Sequence, residues 1–453
     1  MPDKREKKIE LTGVQIIVLA YFLSIIVATI LLLLPVFHRE GVSVALIDAF
    51  FMATSAVTVT GLTSVNTAAT FNIGGQFVIL LFMQLGGVGI MTLGTFIWLV
   101  AGRKIGMRER ELIKIDHNRS EFSGLVQLMR RVLGIVFAIE LTATLIVGTY
   151  LLQYYSTWYE AYYSGLFHTI SAFTNAGFDV FGDSLINFSN NYPFQLMIML
   201  LIILGGIGFP VLIEIKEFIT AKKGTRRNFR FSLFSKLATS TFAVLLIVGF
   251  VLILLFENSG TFAGMAWHEK VFYALFNSVA ARSSGYVTMD VTLFSPHTLF
   301  LITILMFIGA SPSSAGGGIR TTTFALVVLA IAGFVRGKRD LTIFKRRIEQ
   351  EDILKSFMVF TTAILILGTS VILLQLFESE NFTLMQIVYE VTSAFGTTGS
   401  SMGITSELSV ASKLLISLLM FIGRIGILSL LLLFREKKST PKVNYPTEKI
   451  IIG

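Results

Sequence analysis

The chain contains no cysteine, which excludes a disulfide scaffold, a thiolate zinc or iron–sulfur site, and thiol catalysis. Its five histidines are scattered, so no histidine metal motif forms. Charge is scarce as well. Asp, Glu, Lys and Arg make up 14% of the 453 residues, against about 25% in a soluble domain. A water-exposed globule of this length would lack polar cover. What is abundant is apolar: 54% of the residues are hydrophobic, forty of them Phe. The formal net charge is nevertheless +9, so the position of the basic residues carries information.

A membrane-crossing helix needs about 20 mostly apolar residues, at about 1.5 Å of rise each. Eight segments qualify: Val14–Val36, Gly74–Ala101, Gly124–Leu151, Pro193–Ile219, Ser232–Phe256, Pro296–Val335, Ile353–Phe377 and Leu408–Phe434. The first lacks a small-residue cleavage site and is expected to be retained rather than removed as a signal peptide. The sixth is too long for one pass and is interrupted. The stretches between segments alternate. One kind is basic, with Arg103, Lys104, Arg108, Arg110, Lys114 and Arg119, then Lys216, Lys222, Lys223, Arg226, Arg227 and Arg230, then Arg336, Lys338, Arg339, Lys345, Arg346 and Arg347. The termini belong to this kind. The other kind holds only Arg39, Lys270, Arg282 and Lys413. The positive-inside rule therefore places both termini and the basic loops in the cytoplasm. That leaves Arg424 as the one basic residue assigned to neither side. The basic loops can serve orientation alone or also form a docking face for a cytosolic partner.

Each outward stretch holds a short apolar segment of about 10–12 residues, a length suited to a re-entrant helix. The four segments end alike, at Gly61, Gly177, Gly285 and Gly399, spaced 116, 108 and 114 residues apart. Five residues before each glycine stands alanine: Ala56, Ala172, Ala280 and Ala394. Six before stands serine in three cases, Val279 being the exception. This is an internal repeat of about 110 residues. Each unit is helix, re-entrant segment, helix, and crosses twice. The expected fold is thus an all-α integral membrane protein with four parallel repeats around a central pseudo-fourfold pore, not inverted repeats. The divisions are a cytoplasmic N-terminus at 1–13, repeats at 14–102, 103–220, 221–340 and 341–435, and a cytoplasmic tail at 436–453.

Irregular backbone at membrane depth survives only if it is buried in protein or lines an aqueous path. The tetrapeptides Thr58-Val59-Thr60-Gly61, Thr174-Asn175-Ala176-Gly177, Arg282-Ser283-Ser284-Gly285 and Gly396-Thr397-Thr398-Gly399 suit an aqueous path. Rings of backbone carbonyls can replace the water shell of a cation, here at Val59, Thr60, Asn175, Ser283 and Thr397. The C-terminal end of each re-entrant helix adds a partial negative charge. No carboxylate ring is present, which argues against divalent selectivity. Packing of helices is the plainer role for the four glycines, but it does not by itself produce the matching alanine and serine offsets.

The sixth segment contains Gly309-Ala310-Ser311-Pro312-Ser313-Ser314-Ala315-Gly316-Gly317-Gly318-Ile319-Arg320. Proline and three successive glycines break a helix. The resulting loop sits inward of the third re-entrant segment and can obstruct the path below it; a purely structural kink is the alternative. A phosphate-cradling loop is excluded because the Gly-x4-Gly-Lys-Ser/Thr pattern is absent. Arg424, mid-segment, costs at least about 3 kcal/mol in hydrocarbon and must face the bundle interior. It either sets a barrier below the filter or pairs with a carboxylate such as Glu140. Arg282 and Glu390 are expected to be structurally paired.

These residues resemble the Trk/Ktr/HKT superfamily of potassium transport proteins, most of all its bacterial KtrB type, over nearly the whole chain. The four filter tetrapeptides, Gln84-Leu85-Gly86-Gly87-Val88-Gly89, the Ala315–Thr323 run and Arg424 carry the resemblance. It implies potassium as the transported ion, with sodium as a further activator in some members and no covalent cofactor. Glycine in all four filters is the potassium-selective pattern. Residues 310–318 correspond to the intramembrane gating loop, although Pro312-Ser313-Ser314 stands where the family is richer in glycine. The resemblance also implies a homodimer in the bacterial plasma membrane, in contact with lipid and controlled by a cytosolic RCK-type, KtrA-like ring that binds nucleotide. The chain has no dinucleotide-binding fingerprint of its own. A sodium- or proton-coupled carrier of another solute, using Glu140 and Glu390, is the competing class. An enzyme is not expected, since no cluster stands at catalytic spacing, and nothing suggests nucleic-acid binding.

Overall fold

The computed structural model describes residues 12–90, 92, 125–221, 229–338, 340–378 and 381–433, with 446, 448 and 450. Most of the first two basic loops and both charged termini lie outside the described residues, as does the end of the second apolar segment.

In chain order the helices are α1 (Gly13–Leu33), α2 (Leu46–Thr58), the single turn α3 (Thr67–Thr70), α4 (Ile73–Val88), α5 (Leu125–Leu151), α6 (Trp158–Phe173), α7 (Tyr192–Gly206), α8 (Phe209–Thr220), α9 (Leu233–Glu257), α10 (Trp267–Ala280), α11 (Pro296–Phe307), α12 (Thr321–Val335), α13 (Gln350–Glu378), α14 (Leu384–Gly396), α15 (Val410–Ile425) and α16 (Ile427–Leu433). The first helices of the four units, α1, α5, α9 and α13, contain the stretches long and apolar enough to cross a membrane singly. Helix α1 starts on a capping box between Thr12 and Gln15 and stops at Leu33, because Leu34 precedes Pro35 and is held extended. The re-entrant helices α2, α6, α10 and α14 run 13, 16, 14 and 13 residues, slightly longer than expected and still too short to span.

The second helices of the second and fourth units depart from the sequence expectation. Only the third was expected to be interrupted, and it is, between Phe307 and Thr321. The fourth apolar segment is also broken: α7 and α8 meet at a 104° bend, and α15 and α16 of the last segment meet at 96°. Glycines with positive φ sit at both bends, Gly208 (104°) and Gly426 (86°), and Gly89 (101°) ends α4 in the same way. Pro210 in the first turn of α8 fixes the new direction. The apolar composition runs straight through these bends, which hid them from the hydropathy reading.

The units close on themselves. Each second helix packs on the next unit's re-entrant helix: α4 on α6, α7 on α10, α11 on α14, and α15 back on α2. That last contact carries an ion pair, Lys413 Nζ to Asp48 Oδ1 at 2.9 Å, which joins α15 to the first turn of α2. At the far ends of two first helices, Glu257 and Glu378 each accept the backbone N–H of a helix N-cap, Ser295 and Ser409, at 3.0 and 2.9 Å. The third basic loop contains an antiparallel hairpin, Thr342–Ile343 with Arg346–Arg347, turning through Phe344 and Lys345, both left-handed.

The closing ion pair is testable. Lys413→Met leaves Asp48 largely buried without its cation and is expected to destabilise the detergent-solubilised protein by about 3 kcal/mol. Combining it with Asp48→Asn should recover most of the lost melting temperature, since no orphaned charge then remains.

Candidate functional site

The four tetrapeptides meet at one ring. A side chain added at Gly61 would strike the carbonyl oxygen of Ala176; at Gly177, that of Ser284; at Gly285, that of Thr398; and at Gly399, that of Thr60, in every case closer than 3.0 Å. The contacts run once around the four units and return to the first. All four glycines also have positive φ, between 62° and 93°, so a side chain there is both strained and without space. The carbonyl ring seen directly belongs to the residue before each glycine: Thr60, Ala176, Ser284 and Thr398. Of the five residues expected to coordinate a cation, Thr60 is in this ring. Val59, Asn175, Ser283 and Thr397 stand one residue earlier in each tetrapeptide.

The repeat's alanine and serine offsets acquire physical meaning here. The carbonyls of Ala56, Ala172, Ala280 and Ala394 each accept the N–H three residues on, from Val59, Asn175, Ser283 and Thr397, at 3.1–3.2 Å. In three units the residue two before the glycine then turns left-handed: Val59, Asn175 and Thr397 have φ of 58°, 60° and 48°. The turn lets the next N–H, from Thr60, Ala176 or Thr398, reach back to the carbonyl of Ser55, Ser171 or Ser393. The hydroxyls of Ser55 and Ser393 add a bond from Gly61 and Gly399, at 3.0 and 3.1 Å. The third unit has Val279 in place of serine, and there Ser283, Ser284 and Gly285 all turn to the carbonyl of Ala280. Local hydroxyl bonding supports the backbone in the first two units, where Thr58 bonds Thr54 and Thr60 and Thr174 bonds Ile170. In the other two the tetrapeptide hydroxyls themselves make no such bond: among the described residues Ser283, Ser284, Thr397 and Thr398 have hydroxyls without a protein partner.

A second glycine set, not singled out as a repeat by sequence reasoning, supports the ring from behind. Side chains at Gly86, Gly205 and Gly423 would strike the carbonyls of Val57, Phe173 and Phe395 closer than 3.0 Å. Each of these carbonyls lies four residues before a glycine of the ring, Gly61, Gly177 or Gly399. The signal was present as Gly86-Gly87-Val88-Gly89, Gly205-Gly206-Ile207-Gly208 and Gly423-Arg424-Ile425-Gly426, which places Arg424 where two other units have glycine.

Residues 308–320 lie directly against the ring. Side chains at Gly316 and Gly317 would meet the hydroxyls of Ser283 and Thr397. The loop is bonded to the bend of the second unit: Ser311 N–H to Gly206 O at 3.0 Å, Ala315 N–H to Gly205 O at 3.1 Å, and Phe209 N–H to Ser313 O at 2.8 Å. Within the loop, Ala310 N–H donates to Gly317 O, and Gly318 packs on Gly396. Pro312 faces Gly208.

Three guanidinium groups hold the loop's carbonyls. Arg424 donates to Ala315 O and to Gly86 O and Gly87 O. Arg320 donates to Gly316 O. Arg282 donates to Gly309 O at 3.0 Å and Phe242 O at 3.1 Å and lies 4.1 Å over the Phe242 ring. This revises the reading of four charged residues. Arg424 does not pair with Glu140, whose carboxylate takes the amide of Gln84 at 2.8 Å. Arg282 is matched to carbonyls and an aromatic face, not to an acid. Glu390 accepts the hydroxyls of Ser401 and Thr405, just beyond the fourth tetrapeptide. Arg320, assigned with the cytoplasmic basic residues, belongs to the interior. Among the described residues no group of three His, Asp or Glu could hold a metal ion.

Comparison with known proteins agrees with this architecture. The chain is 49% identical to Ktr system potassium uptake protein D of Bacillus subtilis, over 98% of each chain. It is 36% identical to Ktr system potassium uptake protein B of the same organism, over 100% of this chain and 99% of that one. It is 35% identical to the potassium/sodium uptake protein NtpJ of Enterococcus hirae, over 99% of each. The fold matches the crystal structure of the potassium transporter TrkH from Vibrio parahaemolyticus with a TM-score of 0.73 at 17% identity, covering 96% of this chain and 87% of that one. A sequence profile described as TrkH, cation transport protein, matches residues 3–444. With its apolar first helices, its closed set of four units and these matches, the chain is a multi-pass membrane protein that belongs to the TrkH family of cation transport proteins, a family of transporters and not of enzymes.

Proposed function

We propose that the chain takes up potassium through the centre of the ring, with the carbonyls of residues 58–61, 174–177, 282–285 and 396–399 as the filter. The observation that carries this reading is the closed sequence of glycine-to-carbonyl contacts from Gly61 round to Gly399. It leaves carbonyl oxygens as the groups able to replace water around a monovalent cation. About 2.3 kcal/mol per 100 mV then drives each ion inward. The names of the Ktr and NtpJ relatives support potassium as cargo, and sodium as an activator is part of the same proposal. A carrier centred on Glu390 is disfavoured, because both its carboxylate oxygens are already engaged by Ser401 and Thr405, whereas Glu140 is engaged on one oxygen, by Gln84.

Residues 310–318 with Arg424 form the gate in this reading. The loop is bonded across the path, and its release requires breaking bonds to Gly205, Gly206 and Arg424 together. Control is assigned to a cytosolic, nucleotide-binding RCK-type ring, with the chain working as a homodimer in the plasma membrane and both termini in the cytoplasm. The hairpin at 342–347, with Phe344 exposed among Lys345, Arg346 and Arg347, is a docking element of suitable charge.

The direct test is rubidium or potassium uptake by potassium-starved cells expressing the chain with and without a cytosolic RCK subunit. Uptake above background is expected, and its absence in both cases would reject the reading. Replacing Gly61, Gly177, Gly285 or Gly399 by Ser should lower potassium-over-sodium discrimination by about tenfold or more, equivalent to ~1.4 kcal/mol. Normal discrimination in all four variants would sink the filter assignment. Deleting Pro312–Gly318 should raise flux in the absence of the RCK subunit, and flux that stays low and regulated would count against the gate.

A further inference from the structure

Below the loop, on the side of the basic stretches, lies a cavity of about 640 Å³. Its lining includes Arg320, Arg424, Ser314, Thr322 and Thr323. Three independent features there favour negative charge. First, the guanidinium groups of Arg320 and Arg424 are bonded to the neighbouring carbonyls of Gly316 and Ala315, and among the described residues neither forms an ion pair. Second, the N-terminus of α12 opens into the cavity: its N-cap is Arg320, no side chain caps it, and Thr322 and Thr323 are its second and third residues. Their amides have no partner within the helix, and the end carries a partial positive charge. Third, the hydroxyl of Ser314 is buried there without a protein partner. The carboxylates that face the cavity are engaged. Glu214 accepts the N–H of Ser232 at 3.0 Å, and Asp352 lies 3.6 Å from Lys355.

We propose that this cavity is a binding site for a phosphate-class oxyanion, held by Arg320, Arg424, the Ser314 hydroxyl and the amides of Thr322 and Thr323, since the Thr321 amide already donates to Ala310 O, and that the anion promotes release of the loop. A helix N-terminus flanked by arginines is a ready site for such a group. Charge-assisted bonds to a phosphate oxygen are stronger than those to a neutral carbonyl. An anion in the cavity therefore draws Arg320 and Arg424 away from Gly316 and Ala315. It also cancels positive charge below the ring, where that charge opposes a cation. Binding is independent of the pore reading, whereas the effect on flux rests on it.

Calorimetric titration of the purified full-length protein with sodium phosphate, against sodium chloride at equal ionic strength, reads binding alone. Saturable binding to phosphate is expected, weakened about tenfold or more by Arg320→Gln and abolished by Ser314→Asp, which places a carboxylate in the cavity. Arg131→Gln, at an exposed ion pair with Glu217, should leave it unchanged. Binding absent from the wild type, or equal in Arg320→Gln and Ser314→Asp, would overturn the site. Potassium flux into proteoliposomes then separates the sources. Stimulation by inorganic phosphate in zwitterionic vesicles identifies the soluble ion, and stimulation by phosphatidic acid without phosphate identifies a lipid headgroup. Stimulation by neither, in a protein that conducts potassium, overturns the gating role. A wild-type protein that binds phosphate but carries no potassium would instead reject the pore reading.

Discussion

At the centre of this protein, the carbonyl oxygen of one unit occupies the space where the next unit would need a β-carbon. Thr60 stands against Gly399, Ala176 against Gly61, Ser284 against Gly177 and Thr398 against Gly285. A polar backbone at membrane depth is tolerable only when it is packed in protein or faces an aqueous path, and here both conditions shape it. The close approach aligns four carbonyls in one ring. It also requires each re-entrant helix to stop at the same depth, which the bonds to Ala56, Ala172, Ala280 and Ala394 accomplish, with left-handed residues after three of them. The second helices follow from the same constraint, because Gly86, Gly205 and Gly423 let them lie against the carbonyls of Val57, Phe173 and Phe395.

The fourfold plan is broken in the third and fourth units. The third unit lacks the serine that caps its relatives, and its second helix opens into the loop at 308–320. The fourth unit replaces a small residue by Arg424, at a position where Gly87 and Gly206 stand in the first two. Arg424 then bonds the third unit's loop and the first unit's α4 at once. A guanidinium group suits this task, since its several donors are fixed in one plane and satisfy several carbonyls together. Arg282 and Arg320 hold the same loop at Gly309 and Gly316. All three cations are bonded to neutral carbonyls of the loop, and among the described residues none of them forms an ion pair.

The distinction between local and distant partners explains which parts were legible. The repeat length, the short re-entrant segments and the interruption after Phe307 follow from apolar run length, spacing and helix-breaking residues. The bends after Gly206 and Ile425 were not legible, because Ile207, Phe209, Ile425 and Ile427 keep hydropathy high through a reversal that depends on a single positive φ. The partners of the interior charges were not legible either. Glu140 appeared to be an available counterion for Arg424, yet it faces Gln84, while Lys413 and Asp48 lie 365 residues apart and meet.

The sequence by itself determined that the chain lives in a membrane, that it carries four similar segments, and that glycine and alanine recur at set offsets in each. Those properties depend on transfer free energy and backbone stereochemistry, which act residue by residue. Only the tertiary structure decided that the glycines face neighbouring carbonyls in a closed ring, that the loop is bonded to the second unit's bend, and that Arg424 spans three units. Those outcomes depend on which hydrogen-bonding groups reach each other where no water is present to satisfy them, and that is settled by the packing of the whole ring.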